Sequence, residues 1–271
     1  MTKITPFRRF AILLFAGILA CFELVVAFGQ QSDTKPADDL FLSFYLDPRP
    51  ERLEGFIEKW QSSSSGDKWD AYPPLAGFLA IVFRSRPDWI EKLVPSTLSR
   101  KAATTVITAL GLAGNPDIPA DLRSRILAGG IDDTLNVAFS GLPNRIEDLN
   151  ITTPTHLDIA WGAAFASGDK QYVRMIIDFM AKTANQSEPM AIDVAKGTLA
   201  HMGGPKDIWN TARSKYGEDG ARQLVYASVA LWALTVNSKR YTFVRETVDE
   251  YIADHPGTPA TKALSALQHI K

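Results

Sequence analysis

Two serines stand three residues ahead of a lysine, Ser65…Lys68 and Ser167…Lys170. On one face of a helix that spacing lets the lysine amine take the serine's proton, which makes the hydroxyl a nucleophile for acyl transfer. Both pairs enclose Gly-Asp, and a glycine marks a turn in which the two side chains need not share a face. The chain also lacks the Ser-Asp-Asn and Lys-Thr-Gly segments that complete such a site. The spacing therefore predicts two turns and no nucleophile. No Gly-x-Ser-x-Gly elbow, phosphate loop, dinucleotide fingerprint or His-Glu-x-x-His helix occurs. The acidic pairs Asp38-Asp39 and Asp132-Asp133 suit helix starts, where a carboxylate accepts backbone N–H bonds and faces the positive end of the dipole. Cation binding at Asp132 would need oxygen ligands from Glu147 and Asp148. His156, His201, His255 and His269 have no mutual spacing, and one Cys makes no thiolate cluster. The expectation is no catalytic residue, no metal site and no cofactor.

The side chains best suited to binding are cationic and aromatic. Lys239, Arg240, Tyr241 and Arg245 form one group, and Tyr172 and Arg174, beside Lys170, form another in a repeat-equivalent place. Stacked helical hairpins leave a face on which such residues hold an extended peptide or an acidic tail, the aromatics giving area and the Arg fixing polar groups. The six tryptophans, Trp60, Trp69, Trp89, Trp161, Trp209 and Trp232, fall mostly on apolar faces and read as packing between helices.

The elements that position these residues read as helices. With 46% hydrophobic and 22% charged residues the chain has the composition of a folded body, not of a disordered one. Helical spacing links Leu53, Phe56, Ile57 and Trp60. After Pro73 and Pro74, the residues Leu75, Phe78, Leu79, Val82 and Phe83 line one face. The pattern continues over 96–113 and 119–128, and 131–152 is the least regular stretch. The second half predicts helices at 154–167, 170–184, 188–202, 206–215, 218–236, 239–254 and 259–270, separated at Gly168-Asp169, Gly203-Gly204-Pro205, Gly217 and Asp254 through Pro259. No alternating strand is present. The expected fold is all-α, a stack of antiparallel helical hairpins, with one domain over 38–271.

The amino terminus carries Lys3, Arg8 and Arg9, followed by an unbroken run of apolar and small residues from Phe10 to Ala20, the layout of an export signal. Three fates stay open. A leader peptidase can cut after Gly29, with Ala27 and Gly29 as the small residues before the cut and a polar tether over 30–37 behind it. Ile18-Leu19-Ala20-Cys21 resembles the lipobox of bacterial lipoproteins, which would make 1–20 the leader and Cys21 the lipidated residue. Left uncut, 10–29 is long enough to anchor the chain in a bilayer, although Glu23 is costly there. The expected location is periplasmic or secreted, or else tethered to a membrane through this segment alone and facing the periplasm. Cleavage after Gly29 removes Lys3, Arg8, Arg9 and Glu23 and leaves a net charge of −3. A weakly acidic body without a Lys/Arg run has no footprint for nucleic acid.

Ser65-Gly66-Asp67-Lys68 returns as Ser167-Gly168-Asp169-Lys170 at an offset of 102, and Asn237 to Tyr241 is similar to Gly168 to Tyr172 at an offset of 69. These are near multiples of ~34 residues, the period of the tetratricopeptide repeat. Trp161, Ala164, Gly168, Asp169 and Tyr172 resemble the first helix and tight turn of that repeat. The resemblance implies that Val173, Ile176, Ile177 and Met180 are the buried stripe of its second helix, and that the fold is a repeat solenoid or an irregular helical array. Leu157 through Asp169, with Phe78-Leu79-Ala80 and Val82-Phe83, also resembles a group of exported bacterial proteins without an assigned activity. The resulting expectation is an envelope binding or scaffold protein that takes a protein or peptide partner. An envelope hydrolase acting on cell wall or ester substrates is the alternative.

Overall fold

Proline is tolerated in the first turn of a helix, where its missing N–H would have had no partner. Pro73 and Pro74 stand there in one helix, and Pro154 and Pro259 begin two others. The computed structural model describes residues 36–201 and 208–268. Over these the chain is all-α: no strand occurs, and the one isolated bridge joins Ala113 and Arg145. The helices are α1 (Pro36–Ser43), α2 (Phe56–Gln61), α3 (Tyr72–Ser85), α4 (Ile90–Leu93), α5 (Arg100–Leu112), α6 (Ala120–Ala128), α7 (Asp133–Ala138), α8 (Pro154–Ser167), α9 (Lys170–Ala184), α10 (Glu188–His201), α11 (Ile208–Arg240), α12 (Thr242–Asp254) and α13 (Pro259–Gln268). The export segment with Cys21, Ala27 and Gly29, the break at Gly203-Gly204-Pro205, and His269 lie outside the described residues. Of the tether expected over 30–37, Pro36 and Ala37 already belong to α1.

The chain packs as two compact units, one running through Asn150 together with Thr155–Gly168, the other made of Ile151–Pro154 and the chain from Asp169 onward. In the first unit, α3 is buried around its whole circumference from Tyr72 to Phe83, not on the single face that its strongest apolar residues mark. Leu157 and Ile159 through Ala166 are buried in α8 as well. Helices apolar on all sides must be wrapped on all sides. The two meet through glycine. A Cβ on Gly77 would overlap the carbonyl oxygen of Ile159, and a Cβ on Gly162 would overlap that of Pro74.

Aromatic rings fill the space beside this crossing. Phe78 stacks on Phe41 with centroids 4.8 Å apart and meets Phe44 edge-on at 5.2 Å. Trp60 lies 5.6 Å from both Phe41 and Phe56. Along α5, which packs on α3, most buried residues are small, among them Ala102, Ala103, Val106 and Ala109, with Leu110 and Leu112 buried at its end. Ser99 caps α5 by accepting the Ala102 N–H at 3.2 Å. The Gln61 amide joins α2 to that cap, donating to Thr97 O and accepting from Ser99 N, both at 3.0 Å.

In the second unit, α9 buries Tyr172, Val173, Ile176, Ile177 and Met180 as one stripe. The long α11 is buried from Leu224 through Thr235 and packs on α9, α10 and α12. Its closest approach to α10 again uses a small residue, because a Cβ on Gly197 would overlap the Ser228 hydroxyl. That hydroxyl lies 3.0 Å from Val194 O, and Thr198 donates to Ser228 O at 3.1 Å, so no polar group at the contact is left unmet. Gly217 breaks α11 as its residue type suggests, with φ 72° and ψ −177°. The turn expected near Asn237 instead falls at Tyr241. Asn237 and Ser238 are buried and helical, and the Ser238 hydroxyl donates to Thr235 O at 3.0 Å within the helix.

The crossing of α3 and α8 yields a test. Replacing Gly162 or Gly77 by Ala forces a methyl against a carbonyl that cannot rotate away, and should destabilise the first unit by about 3 kcal/mol. Gly141 has open space around it and serves as the comparison for glycine loss, although its own φ of 76° adds backbone strain. Denaturant midpoints of the three variants measure the difference.

Candidate functional site

Each member of the second Ser…Lys pair is held by other groups. Ser167 donates to Ala163 O at 2.8 Å within its own helix. Lys170 is engaged by two glutamates, with Nζ 2.6 Å from Glu250 Oε1 and 2.9 Å from Glu246 Oε2. Asp169 caps α9 by accepting the Gln171 N–H at 2.8 Å. Gly168, with φ 67°, makes the turn before it. Asp132 caps α7 by accepting the Leu135 N–H at 3.0 Å, which accounts for that acidic pair. Asp38 and Asp39 lie within α1, not ahead of it. No group of three or more potential metal ligands converges among the described residues.

The histidines and tryptophans are placed separately. His156 Nδ1 lies 3.0 Å from Asn150 O, and burial lowers the imidazole's pKa. His201 ends α10, and burial again lowers its pKa. Trp60, Trp161 and Trp232 are buried. Trp89 is half-buried, with Lys92 Nζ 4.3 Å and the Arg86 guanidinium 5.9 Å from its ring, so cations already cover it.

The six residues singled out for binding divide into three groups. Tyr172 is 0% exposed, so its ring belongs to the core of α9 and cannot offer contact area to a partner. This corrects the expectation for that residue: Tyr172 falls on the buried stripe with Val173, Ile176, Ile177 and Met180, and Arg174, two residues on, points away from it. Arg174 is on the surface, but its guanidinium lies 2.8 Å from Glu250 Oε2. Lys170, Arg174, Glu246 and Glu250 thus form a clamp between α9 and α12. Hydrogen bonds from Lys170 and Arg174 hold the Glu250 carboxyl below its usual range, and Glu250 raises Lys170 in turn.

Lys239 and Tyr241 each have a partner, and the Tyr241 ring lies 6.3 Å from that of Phe243. Arg240, last in α11, and Arg245, in the first turns of α12, are exposed and enter no ion pair among the described residues. A short turn at Tyr241 separates the two helices, which keeps this pair of cations on neighbouring segments.

Two clusters of the second unit carry no sequence signal, because they join residues far apart in the chain. Asp178 of α9 is raised by burial, against the opposing charges of His255 and Arg174. Tyr251 is raised by burial and then by Asp178, and its ring stacks on His255 at 4.2 Å. On α10, Asp193 Oδ2 accepts from Lys215 Nζ at 2.6 Å and from the Tyr216 hydroxyl at 2.7 Å.

The clamp predicts a pH dependence. A carboxyl whose folded pKa is lowered contributes stability that is present above its unfolded value and lost as pH falls through the folded one. Glu250→Gln should therefore lower the melting temperature slightly near neutrality, since exposed pairs contribute little. The gap from the parent should close once pH has dropped below the ordinary glutamate range. A gap of equal size at every pH would assign the effect to packing.

Comparison of the chain with known protein families, with curated proteins and with solved structures finds no match.

Proposed function

We propose that this chain is an exported binding module of the bacterial cell envelope, with helices stacked as hairpins in a tetratricopeptide-like or irregular array, and that it takes a protein or peptide partner carrying acidic groups. The observation that carries this reading is the exposure of Arg240 and Arg245 on either side of the α11–α12 turn, without an ion pair among the described residues, while Lys170, Arg174, Lys215 and Lys262 of the same unit are matched by carboxylates. An uncompensated guanidinium pair favours carboxylate-rich ligands, because each fork offers two parallel N–H donors to a carboxylate. Lys239 precedes the pair and Tyr241 stands between its members, and both extend the surface on which an extended segment can lie. Arg174 stands apart, since the clamp on Glu250 competes for it.

The export part of the reading rests on Lys3, Arg8, Arg9 and the apolar run from Phe10 to Ala20. Intact mass of the native protein, with soluble and membrane fractions measured apart, distinguishes the three fates. A chain beginning at Gln30 supports a free periplasmic or secreted module. One beginning at an acylated Cys21, or an uncut chain in membranes, supports a tethered one. A full-length chain in the cytoplasm sinks the export reading.

For binding, the probe is a fluorescent peptide rich in glutamate, titrated by anisotropy at low and at high salt. Reversing both charges with Arg240→Glu and Arg245→Glu should weaken binding about tenfold at low salt, two surface contacts of under ~1 kcal/mol each. The difference should shrink as salt rises. Equal binding by parent and double variant would return the two arginines to a solvated surface role.

A further inference from the structure

Helix α11 consists of two helical segments that meet at a kink at Gly217, and the two differ in burial. Beyond Gly217 it forms the centre of the second unit, with an unbroken buried run from Leu224 to Thr235. Ahead of Gly217, from Ile208 to Tyr216, the only fully buried residue is Ala212, at 4% exposure, while Ile208, Trp209 and Tyr216 are half-buried. A segment that buries so little apolar surface opens at small cost, whatever the stability of the body it lies on. At the end next to Gly217 it is fastened by polar contacts: the Asp193 carboxylate of α10 accepts from both Lys215 Nζ and the Tyr216 hydroxyl, and Lys196 Nζ lies 3.7 Å from its other oxygen. Burial pushes the Asp193 carboxyl up, but the bonds from Lys215 and Tyr216 outweigh it and the pKa is lowered, so the fastening is charged at neutral pH.

The joint beside this fastening is specific to glycine. At φ 72° and ψ −177°, Gly217 occupies a backbone region that side-chain-bearing residues avoid. A Cβ there would meet nothing within 4 Å, so it is the backbone angle and not packing that calls for glycine. A glycine joint, a segment with one buried side chain and a charged fastening stand within three residues of each other along the chain.

We propose that Ile208–Tyr216 is a strap on the second unit, hinged at Gly217 and latched on Asp193, which lifts without unfolding the helices beneath it. Lifting frees the Asp193 carboxylate, whose side chain is 22% exposed with the latch closed. The device is independent of the arginine pair, which lies at the other end of α11.

Hydrogen exchange of the full-length protein tests it, with tryptic cleavage after Arg213 and Lys215 as a second readout. In the parent, amides of Ile208–Tyr216 should exchange well before those of Leu224–Thr235. Asp193→Asn keeps the shape of the latch and removes its charge, and should speed exchange and cleavage in the strap about tenfold, with Leu224–Thr235 unchanged. Gly217→Ala, which meets no steric obstacle, should do the same by straining the hinge. Tyr216→Phe, the mildest change, should produce a smaller shift in the same amides and covers the case in which Asp193→Asn folds poorly. Strap amides protected as strongly as Leu224–Thr235 in the parent, or a rise in exchange spread equally over both segments in the variants, would overturn the proposal.

Discussion

The first unit depends on two carbonyl oxygens lying where two side chains would otherwise be. At Gly77 and Gly162, α3 and α8 approach until the backbone of each occupies the Cβ position of the other. The rest follows from that distance. The apolar residues on either side of the crossing are brought into contact over the length of both helices, and Phe78 reaches the rings of Phe41, Phe44 and Phe56. A wider crossing would leave those rings without neighbours and open voids whose cost rises with their volume. The second unit uses the same device in milder form at Gly197, where the neighbour is a hydroxyl that also bonds to a carbonyl of the opposite helix.

Helix positions were largely legible in the sequence, for local reasons. Gly168, Gly217 and the Pro256–Pro259 region interrupt the apolar spacing, and each marks a break in the structure. The stripe Val173, Ile176, Ile177 and Met180 follows the helical period and is buried. The turn near Asn237 was misplaced because Asn and Ser favour turns in isolation. In a buried helix Ser238 satisfies its hydroxyl on the preceding turn, and the helix runs on to Arg240. The single apolar face of α3 was an underestimate, since alanine and glycine carry little hydrophobic signal yet are buried wherever helices press together.

The candidate site was legible only in part. Residue type marked Arg240 and Arg245 as surface cations, but nothing near Lys170 and Arg174 announces Glu246 and Glu250, which stand more than seventy residues downstream. Charge compensation of this kind is decided by which helices lie side by side. Tyr172 shows the same limit: an aromatic next to cations looks like a contact surface until the helix is rotated into its packed orientation.

The glycine contact also has a consequence in time. Gly77 and Gly162 are separated by 85 residues, and Thr155–Gly168 belongs to the first unit although α9 follows it directly. Contacts distant in sequence form late, because a long loop must close before they are gained. As the chain leaves the ribosome, α3 emerges with apolar residues on every side and no partner for Gly77 until more than half of the protein has been made. During that interval the apolar surface of α3 that meets α8 has no partner within the first unit. Either a chaperone covers it, or α3 waits, unfolded, for α8.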